Sequence, residues 1–460
     1  MSAGTLFFAP QAWVDGRWQS DVRLRVDDRG HWAAVEAGPP CPPEAVRLAG
    51  PVLPSLVDAH SHAFQRAFAG LAEQRDSDSD DFWSWRDRMY GVALRTTPAQ
   101  LQAIAAQLYL ELLRGGYTQV CEFHYLQHTP DGSAYPDELA MSWALADAAA
   151  ETGLGLTMLP VLYAHAGFAH PALREDQRRF RTDAAWVWHA SQRLHAAGRP
   201  LLNAGVALHS LRAAHAEDLR ALQALVGDED RPIHIHISEQ QAEVRDCLAA
   251  TGRRPMAYLC EDFRPDARWH LVHATHSTPE EIAAVAASGA SAVICPTTEA
   301  NLGDGLCDLR GWLAAGVPLS LGSDSHVGRG WVEELRWLEY GQRLGLQQRN
   351  VAAQPGVQPS TAARLFEAVR RGSAAPAGLR QWGLEVGARA DFLVLDPAAS
   401  GLRGLPAAAT LDGLVFASQG EVLQSVYVAG QRRLHQGQHE RQAVIGERFE
   451  AAMAELWRKT

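Results

Sequence analysis

Short apolar runs alternate with amphipathic stretches through the middle of the chain. The runs lie at residues 52–57, 118–123, 156–162, 202–208, 233–237, 269–273, 290–295 and 317–321, each of the length expected for a strand buried on both faces. Residues 98–114, 138–151 and 278–287 carry a helical period between them. The last of these opens with Thr278-Pro279-Glu280-Glu281, a capping box with proline at the first helical position, and Gly153 and Gly289 stand where helix C-caps are expected. Eight strands separated by helices predict an α/β fold of the (β/α)8, TIM-like barrel type. No G-x-G-x-x-G follows the first run, which argues against a dinucleotide-binding doubly wound sheet.

The two ends have a different texture. Residues 5–8, 12–14 and 22–26 alternate like strands around the hairpin turn Asp15-Gly16, and residues 390–395, 413–416 and 425–430 repeat that pattern. They predict a small, discontinuous β-sandwich domain, residues 1–50 plus 385–460, flanking a barrel at 51–384. The Asp-rich stretch 75–81 reads as a mobile loop.

Composition narrows the chemistry. With 47% hydrophobic and 21% charged residues the 460-residue chain is globular. No apolar run reaches the ~18–20 residues of a bilayer span, and the first eight residues lack the features of a signal peptide, so a cytoplasmic protein is expected. The net charge of −11 disfavours nucleic acid or an anionic membrane as partner. Six cysteines without a C-x-x-C pair read as reduced thiols. The only lysine is Lys459, which excludes a P-loop, a pyridoxal phosphate Schiff base and a kinase strand lysine.

Polar residues collect where the barrel strands should end, the catalytic face of such a fold. His60 and His62, two apart on an extended segment, turn their imidazoles to one side and can grip one cation. His236 and Glu239 leave the fifth strand as a metal ligand and a general acid/base. His234 lies one layer deeper and reads as a packed core histidine. His273 ends the sixth strand, suited to polarising a substrate or holding an oxyanion. Asp324 ends the eighth, suited both to touching the metal and to taking a proton from water.

This pattern resembles the amidohydrolase superfamily across the whole chain. Binuclear members bridge their metals with a carboxylated lysine, which this chain cannot supply, so the resemblance is to the mononuclear deaminase branch. Longer motifs narrow it: His60-Ser61-His62-Ala63-Phe64-Gln65-Arg66-Ala67, Glu122-Phe123-His124-Tyr125, His209-Ser210-Leu211-Arg212, Gly322-Ser323-Asp324-Ser325-His326, the run 333–340 and the run 411–417 resemble the formimidoylglutamate deiminases. The stretch Val327-Gly328-Arg329-Gly330-Trp331 departs from that pattern.

The resemblance implies hydrolytic deimination of N-formimino-L-glutamate to N-formyl-L-glutamate and ammonia in histidine degradation. It implies one Zn2+ (or another divalent metal) on His60, His62, His236 and Asp324, with hydroxide attacking the formimino carbon, and a cytoplasmic homodimer. Glu239 would relay protons and His273 would stabilise the tetrahedral intermediate. Two substrate carboxylates call for arginine forks, for which Arg86 and Arg212 are placed, while Gln65, Tyr125 and His209 complete the pocket. The rival readings are a guanine, cytosine or triazine deaminase of the same branch and, more remotely, a non-catalytic barrel scaffold.

Overall fold

The structure, a computed structural model, describes residues 4–38, 40–75, 82–420 and 422–458. Eight parallel strands form a closed barrel: β1 (Leu56–Ser61), β2 (Tyr117–His124), β3 (Gly155–Leu162), β4 (Val206–Ser210), β5 (Ile233–Ile237), β6 (Trp269–His273), β7 (Ser291–Ile294) and β8 (Leu319–Leu321). The ring shuts where Leu321 of β8 lies beside Asp58 of β1. Seven of the strands are buried along their whole length; only His209 of β4 is partly exposed. That is why they read as continuous apolar runs rather than alternating ones.

Two of the expected strands divide. Residues 52–57 split at Ser55: Val52–Pro54 pairs antiparallel with Phe392–Leu395 in the terminal sheet, and β1 begins at Leu56. Residues 202–208 split at Gly205 into Leu202–Ala204, paired to the side of β3, and β4. A side chain at Gly205 would place its Cβ 2.5 Å from the Pro232 carbonyl oxygen, so the close approach requires glycine. The helices Pro98–Arg114, Ala140–Thr152 and Pro279–Ser288 follow the sequence expectation, including the Thr278 capping box and left-handed Gly153 and Gly289 at the C-caps.

Both chain ends build one mixed sheet. The hairpin Leu6–Val14 and Arg17–Val26 turns at Asp15-Gly16, both at positive φ, and the C-terminal strands Phe392–Leu395, Leu423–Val428 and Gln431–His435 extend the sheet through Val52–Pro54. Its edge strand Trp32–Ala37 curls back onto the segment leading into Phe392–Leu395, with Trp32 N donating to Ala388 O at 2.9 Å and Ala390 N to Gly30 O at 2.8 Å. The sheet thereby wraps its own core, in which the Phe392 and Tyr427 rings stack at 4.2 Å and Phe7 packs edge-on against both.

Residues 413–416, expected as a strand, belong instead to the helix Thr410–Phe416. A four-residue apolar run has no periodicity to distinguish the two states. Here the preceding Ala407–Ala409 turn starts the helix, which packs against Trp331–Leu346 and Thr361–Gly372, and Asp412 accepts from Ala362 N at 3.1 Å. The last helix, Gln442–Leu456, packs against Pro98–Arg114 of the barrel. All six cysteines are free thiols. Among the described residues no helix is long and apolar enough to cross a membrane. Residues 76–81 of the Asp-rich stretch expected as a mobile loop lie outside the described residues.

Candidate active site

The C-terminal ends of the strands deliver their polar side chains to one point. His60 and His62 leave β1, His236 is the fourth residue of β5, and Asp324 follows β8. His60 Nε2 lies 3.1 Å from His62 Nε2 and 2.9 Å from His236 Nε2. Asp324 Oδ1 lies 3.3 Å from His62 Nε2 and 3.5 Å from His60 Nε2. All four side chains are buried.

These atoms cannot satisfy one another. His62 Nδ1 faces the Phe123 carbonyl at 2.9 Å and His236 Nδ1 the His209 carbonyl at 2.8 Å, so each Nδ1 carries a proton and donates it. The opposing Nε2 atoms of the neutral rings are then bare lone pairs aimed at His60 Nε2. Burial first, and the neighbouring imidazoles next, hold His60 and His236 well below the usual histidine range; burial lowers His62 as well, against the pull of Asp324. Converging neutral nitrogens beside a carboxylate suit a divalent cation. Nitrogens about 2.0–2.1 Å from a tetrahedral centre stand about 3.3 Å apart, near the separations seen here. The donor set fits a metal, with the two backbone carbonyls fixing ring tautomers as second-layer partners do.

Gly322 makes that convergence possible. A Cβ there would lie 2.6 Å from His60 Cβ and 2.9 Å from Cys295 Sγ. Backbone strain gathers at the same end of the barrel, with His273, Asp324 and His326 at φ of 69°, 50° and 66°.

Beside the cluster, His273 Nε2 stands 3.7 Å from both Glu239 Oε1 and Asp324 Oδ2, while its Nδ1 faces Glu299 Oε1 at 3.3 Å. Burial alone would depress His273, but the carboxylates of Glu239, Glu299 and Asp324 together push it up to about 10. Glu239 is pushed up to about 7, chiefly by burial. Its position is set by Glu243, which accepts from the backbone N–H groups of Ser238 at 3.1 Å and Glu239 at 3.0 Å.

One cavity above this cluster is lined by His62, Gln65, Arg86, Tyr125, His209, Arg212, His236, Glu239, His273 and Asp324. Every residue singled out for the site is thus brought together there, except that His60 lies beneath the cavity floor, fully buried. Gln65 Nε2 donates to Tyr125 Oη at 3.1 Å. His209 packs on Tyr163, ring centroids 4.4 Å apart, and burial pushes it well below the usual histidine range. His234 stays out of the site, buried a layer below with Nε2 2.9 Å from the Pro376 carbonyl. A larger groove between the barrel and the terminal sheet, lined by Arg114, Trp331 and Arg336 among others, lies away from the catalytic strand ends.

Sequence reasoning missed the supports. Trp85, Met89 and Tyr90 of the helix Phe82–Ala93 wall the cavity. Beneath β1 runs a buried chain in which Ser323 Oγ donates to Asp58 at 2.5 Å and contacts His326 Nδ1 at 3.1 Å, while Ser61 Oγ donates to Glu122 at 2.8 Å. Asp304, buried and bonded by Gln240, has a carboxylate oxygen within 4.8 Å of Glu239 and His273. Burial first, and Glu239 next, raise Asp304 to about 9. The signals available were Glu243, one helical turn after Glu239, and His326 and Glu122 inside motifs already noticed.

Residues 52–433 match the amidohydrolase family. The chain is 44% identical over 453 residues to the formimidoylglutamate deiminase of Pseudomonas aeruginosa, covering 98% of this chain and 99% of that protein. The 5-methylthioadenosine/S-adenosylhomocysteine deaminase of Halobacterium salinarum is 27% identical over 82% of this chain and 80% of its own. Among solved structures, an amidohydrolase from Brucella melitensis superposes with a TM-score of 0.92 at 39% identity, covering 98% of this chain and 99% of that one. An adenosine deaminase from Xanthomonas campestris with bound zinc shares the fold at 22% identity and a TM-score of 0.80, covering 99% and 98%. With its closed barrel and the histidines and aspartate at its strand ends, this chain belongs to the amidohydrolase family.

Proposed function

We propose that the chain is a metal-dependent hydrolase that deiminates N-formimino-L-glutamate. The observation that carries this reading is the pairing, in one cavity, of a cation-fitting His/Asp cluster with the guanidiniums of Arg86 and Arg212. A linear substrate with two carboxylates needs two such forks, whereas a purine, pyrimidine or triazine needs none. The likeness to the Pseudomonas aeruginosa deiminase over nearly the full chain supports the same substrate.

His60, His62, His236 and Asp324 would hold a single Zn2+. When bound, zinc supplies a Lewis acid and brings the pKa of water towards ~7. Arg86 and Arg212 bind and orient the substrate carboxylates, and Gln65, Tyr125 and His209 add neutral hydrogen bonds. Asp324 accepts a proton from the water that adds to the formimino carbon. Glu239, able to hold a proton near neutral pH, delivers one to the imino nitrogen, takes up the remaining hydroxyl proton as the carbonyl forms and passes it to the departing amine, and is reset by the proton that Asp324 took from the water. His273, kept cationic by its carboxylates, donates to the oxygen on which charge gathers. The carbon–nitrogen bond breaks, ammonia leaves, and N-formyl-L-glutamate remains.

The barrel, residues 51–384, is the catalytic unit in this reading, and residues 1–50 with 385–460 form its companion β domain. A cytoplasmic homodimer is part of the same proposal, checked by light scattering of the purified protein. The test of function is ammonia release by zinc-loaded protein. N-formimino-L-glutamate should turn over, and guanine, cytosine and 5-methylthioadenosine should not. The opposite preference would replace this reading with a nucleobase or nucleoside deaminase.

A further inference from the structure

The two cavity arginines are held in an unusual way. The Arg86 guanidinium carbon lies 4.6 Å from the centroid of the Trp83 ring and that of Arg212 lies 5.3 Å from the same ring. Arg86 also lies 5.4 Å from the Tyr90 ring. Two like charges are therefore gathered on one indole. Among the described residues, the carboxylate contact of Arg86 is the exposed Asp87 at 3.5 Å, and Arg212 forms no ion pair. Arg86 Nε and Arg212 Nη1 are buried without a hydrogen-bond partner among the described residues.

How a guanidinium is held decides what it can still do. A carboxylate partner would occupy its in-plane N–H donors and cancel its charge. An aromatic face attracts the cation through the ring quadrupole and leaves the in-plane donors for a ligand. Trp83 also stands on the far side of the arginines from the metal cluster. Arg86 and Arg212 line the inner cavity, and with Trp83 they line an outer chamber walled by Phe168, His170 and Arg174.

We infer that Trp83 is a specificity-determining positioning residue: its indole holds Arg86 and Arg212 together, charged and with donors to spare at Arg86 Nε and Arg212 Nη1, as a two-carboxylate clamp. This deepens the proposed deiminase reading and rests on it for the identity of the dicarboxylate. Trp83 lines the outer chamber and not the inner cavity that holds the His/Asp cluster, so its loss acts on substrate affinity.

The test compares W83A, W83L and W83F with wild type, all zinc-loaded and matched in zinc content and thermal midpoint. KM for N-formimino-L-glutamate should rise about tenfold in W83A and W83L, with a much smaller fall in kcat, and W83F should recover most of the loss, as expected for one or two cation–π contacts. Calorimetric binding of glutarate, a dicarboxylate without the formimino group, should weaken by a similar factor. Equal behaviour of W83L and W83F, an unchanged KM, or a loss confined to kcat overturns the inference. The two readings fail separately. Wild type that binds glutarate through Trp83 but leaves formiminoglutamate intact keeps the clamp and ends the deiminase reading. Wild type that turns over formiminoglutamate while W83A binds glutarate undiminished ends the clamp alone.

Discussion

Glu239 Oε1 stands 3.7 Å from His273 Nε2, and the charge of Glu239 is the largest single pull that keeps His273 protonated, beside those of Glu299 and Asp324. Replacing it with glutamine therefore removes a proton carrier and unseats its neighbour together. Glu239→Gln should lower kcat by about 10²–10⁴-fold while the protein keeps its zinc. In metal-free protein the pKa of His273 should fall from about 10. Steady-state kinetics, metal analysis and a histidine-detected NMR titration read the three effects; full turnover in the variant would remove Glu239 from the reaction.

Metal dependence follows from the facing lone pairs of His62 and His236. Chelation should abolish turnover and lower the thermal midpoint, because a ligand that binds only the folded state stabilises it. His236→Ala should retain well below one equivalent of zinc by elemental analysis. Stoichiometric zinc in that variant would mean that the cation sits elsewhere.

The arginines can be tested singly. Arg212→Met keeps an apolar stem but no donors, and should raise KM for N-formimino-L-glutamate by one to two orders of magnitude, in keeping with a charged hydrogen bond of roughly 1.5–3 kcal/mol. An unchanged KM would free Arg212 from substrate binding.

Gly322→Ala places a methyl group against His60 Cβ and Cys295 Sγ. Overpacking of this kind costs about 1–3 kcal/mol. Urea unfolding should report the loss and zinc affinity should fall with it, since His60 must move. Wild-type stability and affinity together would show that the approach is not tight.

A pH effect comes from Glu122. Burial pushes its carboxyl up to about 8, although Ala63 N, Ser61 and Tyr109 all donate to it, at 2.6, 2.8 and 3.3 Å. An acid whose pKa is raised by folding binds its proton more tightly in the native state than in the unfolded chain. Stability from this group is thus fullest below the unfolded value of about 4.3 and declines as pH climbs through about 8. Between pH 5 and 8, urea titrations of metal-free protein should show wild type losing more stability, or gaining less, than Glu122→Gln, because the buried histidines, whose lowered pKa values act in the opposite direction, are common to both. An equal slope in the variant would move the effect to another acid, with Asp58, raised to about 7, the next in line.

What the sequence made visible was the part that this fold displays at one end. Strands buried on both faces are conspicuous as apolar runs, and the residues just after them had to face the reaction, so His60, His62, His236, His273 and Asp324 stood out. The supports were hidden because they are defined by tertiary contact. Nothing local distinguishes Asp58 or Asp304 from a surface acid, and only the closed ring brings Asp58 beneath Ser323. The wrong strand at 413–416 failed for a related reason: its state is decided by the helices it packs on. Trp83 was legible as an aromatic beside Arg86, but its second partner, Arg212, lies 129 positions away.

The pairing of Val52–Pro54 with Phe392–Leu395 also sets a timetable for synthesis. About 340 residues separate the two strands, so at ~5–20 residues per second a ribosome needs roughly 20–70 s to deliver the second after the first. Throughout that interval the amino-terminal hairpin offers Phe7, Val22 and Leu24 to the surroundings with its covering strands still unmade. The hairpin therefore stays sticky for most of the remaining synthesis, and a chaperone that binds emerging apolar hairpins would have a long engagement there.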